Sequence, residues 1–152
     1  MNKKTIFIIL LFFLLQNCGY TPIYKNVKNL DYKLNIVNIS GNNDINNLLT
    51  TYVQRYSNQS NYENINLNIK TEYAKNVLSK NKEGKITNYL IKSRIEFVII
   101  GSKNKKNFVF EDEIRAANSD NQFEFKKYEN TIKSNFVDSA MEQLILKISS
   151  TE

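Results

Sequence analysis

A chain of 152 residues is about one domain's worth; it carries 21 basic against 15 acidic side chains, a formal charge of +6. Asn, Lys and Ile together fill 60 positions, a bias of coding rather than chemistry, and 41% hydrophobic residues with nine Tyr and nine Phe make the chain globular, not disordered. The absence of His excludes Ser-His and Cys-His nucleophilic pairs and imidazole metal sites, and four Gly without a GxGxxG or P-loop pattern disfavour nucleotide enzymes.

The chain opens with Lys3 and Lys4, then Ile6 to Leu15 without a polar side chain, then Gln16, Asn17 and Cys18. Ten apolar residues are about half of the ~20 that span a bilayer, so this is the layout of a secretory signal. Leu15-Gln16-Asn17-Cys18 resembles the bacterial lipobox, whose cysteine is diacylated and becomes the new N-terminus; Gln16 and Asn17 stand where that motif has small residues. Cys18 is the lone cysteine, so it forms no internal disulfide, and it stands where a lipobox would use it. Cleavage removes Lys3 and Lys4 and leaves 19 basic against 15 acidic side chains. An exported basic chain meets phospholipid headgroups and the phosphates of lipopolysaccharide rather than nucleic acid. Gly19, in place of Asp, after the cysteine favours the outer membrane by analogy with Gram-negative sorting. The expected organisation is a signal peptide at 1–17, a lipidated tether at 18–29 holding Tyr20, Pro22 and Tyr24, and a single domain at 30–150.

Leu30, Tyr32, Leu34 and Ile36 alternate with polar residues, and the phase slips to Val37 and Ile39, predicting a strand with a bulge or an end buried on both faces. Gly41 to Asn43 break it. Ile45, Leu48, Leu49, Tyr52, Val53 and Tyr56 then form one helical stripe of about four turns, with Asn43 or Asp44 as its cap and Ser57 to Asn61 as its end. Three strands follow: Ile65 to Tyr73, Tyr89 to Ile99 and Phe108 to Arg115, joined by turns around Asn81 to Gly84 and Gly101 to Lys106. Ser119 and Gln122 have capping-box spacing. A second stripe, from Phe125 through Tyr128, Ile132, Phe136, Val137, Ala140, Met141, Leu144 and Ile145 to Ile148, predicts a helix of about 40 Å. The order β-α-β-β-β-α predicts an α+β two-layer sandwich: a four-stranded mixed sheet with two helices on one face, its first two strands parallel through a right-handed crossover.

Two groups of side chains are candidates for chemistry. Glu111 and Glu113 share one face of a strand while Asp112 takes the other. They could share a proton or hold a hard cation, but pairing with Lys92 and Arg94 of the neighbouring strand is the simpler expectation, and nothing in the sequence places them in a cleft. Lys80, Lys82 and Lys85 surround the first turn and Lys103, Lys105 and Lys106 the second. Such lysines ordinarily guard sheet edges; as exposed ammonium groups they are also candidate contacts for lipid phosphates, acting as point charges.

With these residues in place, the chain resembles the LptE family of lipopolysaccharide-assembly outer-membrane lipoproteins in its alphaproteobacterial form. Cys18-Gly19-Tyr20-Thr21-Pro22-Ile23-Tyr24 is similar to that family's opening, and Asn118-Ser119-Asp120-Asn121-Gln122-Phe123, with Tyr128, Glu129 and Met141-Glu142-Gln143-Leu144-Ile145, to its long final helix. The resemblance implies a plug and assembly partner for an LptD-type outer-membrane β-barrel, assisting insertion of lipopolysaccharide, without a cofactor and without a reaction. It also implies lipopolysaccharide contact near the first hairpin tip, where Gly84 and Tyr89 set the register that puts Lys82 there; the family's second basic candidate is met by Ser119. The competing expectation is an accessory lipoprotein of an ABC-type lipid transporter, which needs a groove for acyl chains.

Overall fold

The computed structural model describes residues 32–56, 63–100 and 105–150. The expected signal peptide, Cys18, the tether and the first two residues of the expected domain lie outside the described residues, as do Ser57 to Asn61 and residues 101–104 with Lys103.

Strand β1, Tyr32–Gly41, pairs in parallel with β2, Glu63–Lys80. The register between them shifts between Ile36 and Asn38, which is the bulge that the slipped alternation foretells. Val37 sits there 57% exposed, so the slip marks an extra residue turned outward rather than a strand end buried on both sides. β1 ends at Gly41, whose φ of +111° suits glycine. A Cβ there would lie 1.8 Å from the Thr71 carbonyl oxygen, so the close approach of β1 to β2 depends on its absence.

Helix α1, Asn43–Tyr56, follows at once. Its cap is Asn42, not Asn43 or Asp44: the Asn42 side-chain oxygen accepts the Ile45 N–H at 3.1 Å. Helical turns begin one residue earlier than expected because Thr71 of β2 holds the junction. Its buried hydroxyl accepts the Asn42 N–H at 2.9 Å and donates to Asn46 Oδ1 at 2.7 Å. Ile45, Leu49 and Val53 are buried, as their stripe requires.

β2, β3 (Ile86–Ile100) and β4 (Lys105–Ala117) form an antiparallel meander, giving the sheet order β1-β2-β3-β4. Lys105 and Lys106 belong to β4, opposite Ile100 and Ile99, rather than to the turn. Helix α2, Gln122–Ser149, lies on the same side of the sheet as α1. Its cap is Asn121, which accepts the N–H groups of Phe123 and Glu124, and not Ser119. Ser119 instead accepts the Asn121 N–H at its hydroxyl and a Gln122 side-chain bond at its carbonyl.

The core lies between the sheet and the two helices. Leu67, Ile69, Ile95 and Phe97 of the sheet and Leu49, Val137, Met141 and Leu144 of the helices are all buried, and the Phe97 and Phe110 rings pack edge to face at 5.7 Å. Of the expected α2 stripe, Tyr128 alone is exposed, and a lysine outside that stripe, Lys133, is buried.

Candidate functional site: a basic hairpin tip, an open sheet face and a buried ionic knot

Lys80 ends β2, and Lys82 and Lys85 lie in the turn to β3, all exposed. The turn is built by Asn81. Its side-chain oxygen accepts the N–H groups of Glu83 and Lys85 at 3.0 and 2.9 Å, its own N–H donates to the Lys85 carbonyl, and its carbonyl accepts the Gly84 N–H. Gly84, at φ +82°, supplies the left-handed residue that such a turn needs. None of the three ammonium groups has an anionic partner within ion-pair distance among the described residues. Half-exposed Val77 and Leu78 stand just before them, so the tip joins apolar surface to unpaired positive charge. Asn118, just before α2, clamps the hairpin from the helix side, donating its N–H to the Thr87 carbonyl and its side-chain amide to the Ile86 carbonyl.

The face of the sheet turned away from the helices carries a ladder of charges in register. Glu72, Arg94 and Glu111 stand opposite one another, as do Ala74, Lys92 and Glu113. Lys92 pairs with Glu113 at 2.8 Å and Arg94 with Glu111 at 3.1 Å, which is the cross-strand pairing expected of these carboxylates. Two of the three carboxylates of the acidic cluster are thus engaged by cations of the neighbouring strand. Asn35 donates to Asn66, and Asn107 to Glu96, whereas the buried Asn68 side-chain oxygen on this face has no hydrogen-bond partner among the described residues, and Ile100 and Val109 stand exposed beside the polar groups. The Lys70 ammonium, bonded to Glu72 at 2.9 Å, holds that carboxyl below its ordinary pKa.

A third feature is the one that the sequence pattern hid. Glu129 of α2 receives the Tyr73 hydroxyl at 2.8 Å on one oxygen and the Lys75 ammonium at 2.8 Å on the other. Lys133, one turn further on, lies 3.3 Å from Glu129 and 2.7 Å from Asp44 of α1, with its ammonium 4.4 Å from the centre of the Tyr73 ring. Burial pushes the Glu129 carboxyl up, but the bonds from Lys75 and Tyr73 and the charges of Lys75 and Lys133 outweigh it, leaving the pKa below the ordinary value. The Tyr73 hydroxyl is pushed up by burial and by donating to that carboxylate. This knot ties α1, α2 and β2 together beneath the tip. A signal was present: Glu129 and Lys133 are four apart, and Lys133 interrupts an apolar stripe.

No protein-family model and no curated protein matches the chain. Among solved structures it is similar to the rare lipoprotein B from Shewanella oneidensis, with a TM-score of 0.56 and 12% identity over 77% of this chain and 98% of that one. It is also similar to a minor lipoprotein from Acinetobacter baumannii, with a TM-score of 0.49 and 17% identity over 78% of this chain and 96% of that one. These neighbours are bacterial lipoproteins. At such identities the likeness is one of fold.

Proposed function

We propose that this chain is a lipid-anchored, non-catalytic outer-membrane lipoprotein that plugs and assembles an LptD-type β-barrel and assists insertion of lipopolysaccharide. The observation that carries the proposal is the asymmetry of the sandwich: α1 and α2 cover one face of the sheet, and the other presents four strands of paired charge and amide with an unpaired basic tip at one end. Four strands spaced ~4.8 Å apart make a slab roughly 20 Å wide, a size that the lumen of a large barrel accommodates. Such a face suits a wet lumen wall, since its β4 carboxylates enter already paired with Lys92 and Arg94. The lipobox-like Leu15 to Cys18 supplies the anchor, and a fold shared with a bacterial lipoprotein agrees with it. Lys80, Lys82 and Lys85 are proposed to meet lipopolysaccharide phosphates.

Photo-crosslinking amino acids at positions 82, 92 and 94 test the plug role in living cells. A large heat-modifiable barrel protein in the crosslinked product is the expected outcome. Capture of soluble periplasmic proteins alone overturns the proposal, and copurification of a permease complex selects the transporter-accessory role instead.

A further inference from the structure

Among the described residues β4 pairs with β3 alone, so the outward backbone N–H and C=O groups along its other edge have no ladder partner. One of them is met locally: the Glu113 N–H donates to Asp112 Oδ1 at 2.9 Å. Beside this edge runs α2, and between the two lies a groove of about 590 Å³. Its walls differ in chemistry. Phe110, Ile114, Ile132 and Phe136 give it an apolar base. Along α2, Thr131, Asn135, Ser139 and Gln143 recur every fourth residue and line the opposite wall with neutral hydrogen-bonding groups.

The groove is lined by two carboxylates, Glu111 and Asp112, and by no lysine or arginine; a cation near its base is Lys147, whose ammonium lies 5.2 Å from the centre of the Phe110 ring. Glu111 is engaged by Arg94 on the open face. Asp112 projects to the helix side, in the column of Tyr73 and Ser93, and has no cationic partner among the described residues.

We infer that the groove between β4 and α2 receives an extended, lysine- or arginine-bearing strand of another protein, which adds to the sheet beside β4. An extended backbone satisfies the free edge, as strand addition does elsewhere. Alternate side chains then rest on the apolar base, and a cation meets Asp112. An acyl chain fits less well, because it would cover the open backbone edge of β4 and the Asp112 carboxylate without offering either a partner, although Thr131 and Gln143 already bond within the helix. A second copy of this chain also fits less well: antiparallel pairing of two β4 edges about Asp112 sets Glu111, Asp112 and Glu113 against their own like charges. This inference does not rest on the plug role.

The test uses the full chain in mild detergent and a short labelled peptide of alternating lysine and valine, N-methylated along its outer edge so that it cannot pair with itself. Fluorescence anisotropy should show saturable binding that weakens with salt, and hydrogen exchange should slow at the backbone amides of residues 109–115 when the peptide is added. Asp112→Asn should weaken binding by up to about fivefold, the size of one exposed ion pair. Glu113→Pro should abolish it by setting a ring where the added strand must lie, the N–H that it removes being the one already bonded to Asp112. Exchange on the unaltered chain keeps the test decisive if either variant unfolds. Equal binding of a glutamate–valine peptide, displacement by lauric acid, doubling of molecular size with concentration, or edge amides already protected before peptide is added would each overturn the inference.

Discussion

Removing the Glu129 carboxylate should cost the fold more than any other single polar substitution in the knot. Three donors converge on it, from Tyr73, Lys75 and Lys133, and the Lys133 side chain is 7% exposed while Glu129 itself is 13% exposed. In Glu129→Ala, Lys133 keeps the face of the Tyr73 ring and, as its one carboxylate among the described residues, Asp44, which is 63% exposed and therefore a weak counter-ion. Leaving a buried charge without its partner costs about 3–5 kcal/mol, and the remaining Asp44 contact argues for the lower end, about 3 kcal/mol. For a chain of this size that is a fall of about 6–12 °C in melting temperature. Replacing both partners by apolar groups of similar volume, in Glu129→Leu with Lys133→Met, should recover most of the loss, because no charge is then stranded. Urea unfolding followed by far-ultraviolet circular dichroism measures both variants, the chain having no Trp to report by fluorescence. A loss below about 1 kcal/mol in the single variant, or a double variant no better than the single, would refute the account of Glu129 as an anchor for buried cations.

The same carboxylate gives the fold an acid dependence. Because its folded pKa is lowered, its contribution is complete above about pH 4.5 and fades as pH falls through the lower folded value, whereas Tyr73, raised, makes stability fall as pH climbs past about 10; Glu129→Gln should flatten the acid limb in a stability–pH profile. Gly41→Ala should destabilise by at least about 2 kcal/mol in the same urea assay, since its Cβ would drive into the Thr71 backbone at a positive φ. Cys18→Ala should abolish incorporation of labelled palmitate, and equal labelling of both proteins would remove the case for lipidation. Replacing Lys80, Lys82 and Lys85 together by Ser should weaken lipopolysaccharide binding by at most about two orders of magnitude at low salt, with a smaller difference at high salt and no change in melting temperature; unchanged binding would leave the three as solubilising charge.

One-dimensional periodicity made much of the fold legible in the order of residues. Alternation in β2, β3 and β4 and the i, i+3, i+4 stripes of both helices are imposed by the need to bury one face, so they survive in the sequence alone. The bulge at Val37 was visible for the same reason, as a break in phase. Both caps were displaced, because capping depends on which of several adjacent Asn, Asp and Ser side chains the tertiary setting leaves free. At α1 that choice is made by Thr71, 29 residues from Asn42 along the chain. The knot around Glu129 lay hidden for a related reason: its partners come from β2, α1 and α2, and only the stacking of helices on a parallel β1–β2 pair brings Asp44 within 2.7 Å of a residue 89 positions away. The hairpin lysines, by contrast, were legible as exposed charge, because a turn defined by Asn81 and Gly84 leaves lysines nothing to pack against. The open face obeys the same economy of surface. With only two helical stripes to bury, the fold covers one side of its sheet, and it answers the other by pairing each outward carboxylate of β4 with a cation of β3. Asp112, turned to the helix side by the two-residue repeat, is the carboxylate of that strand that this pairing does not reach.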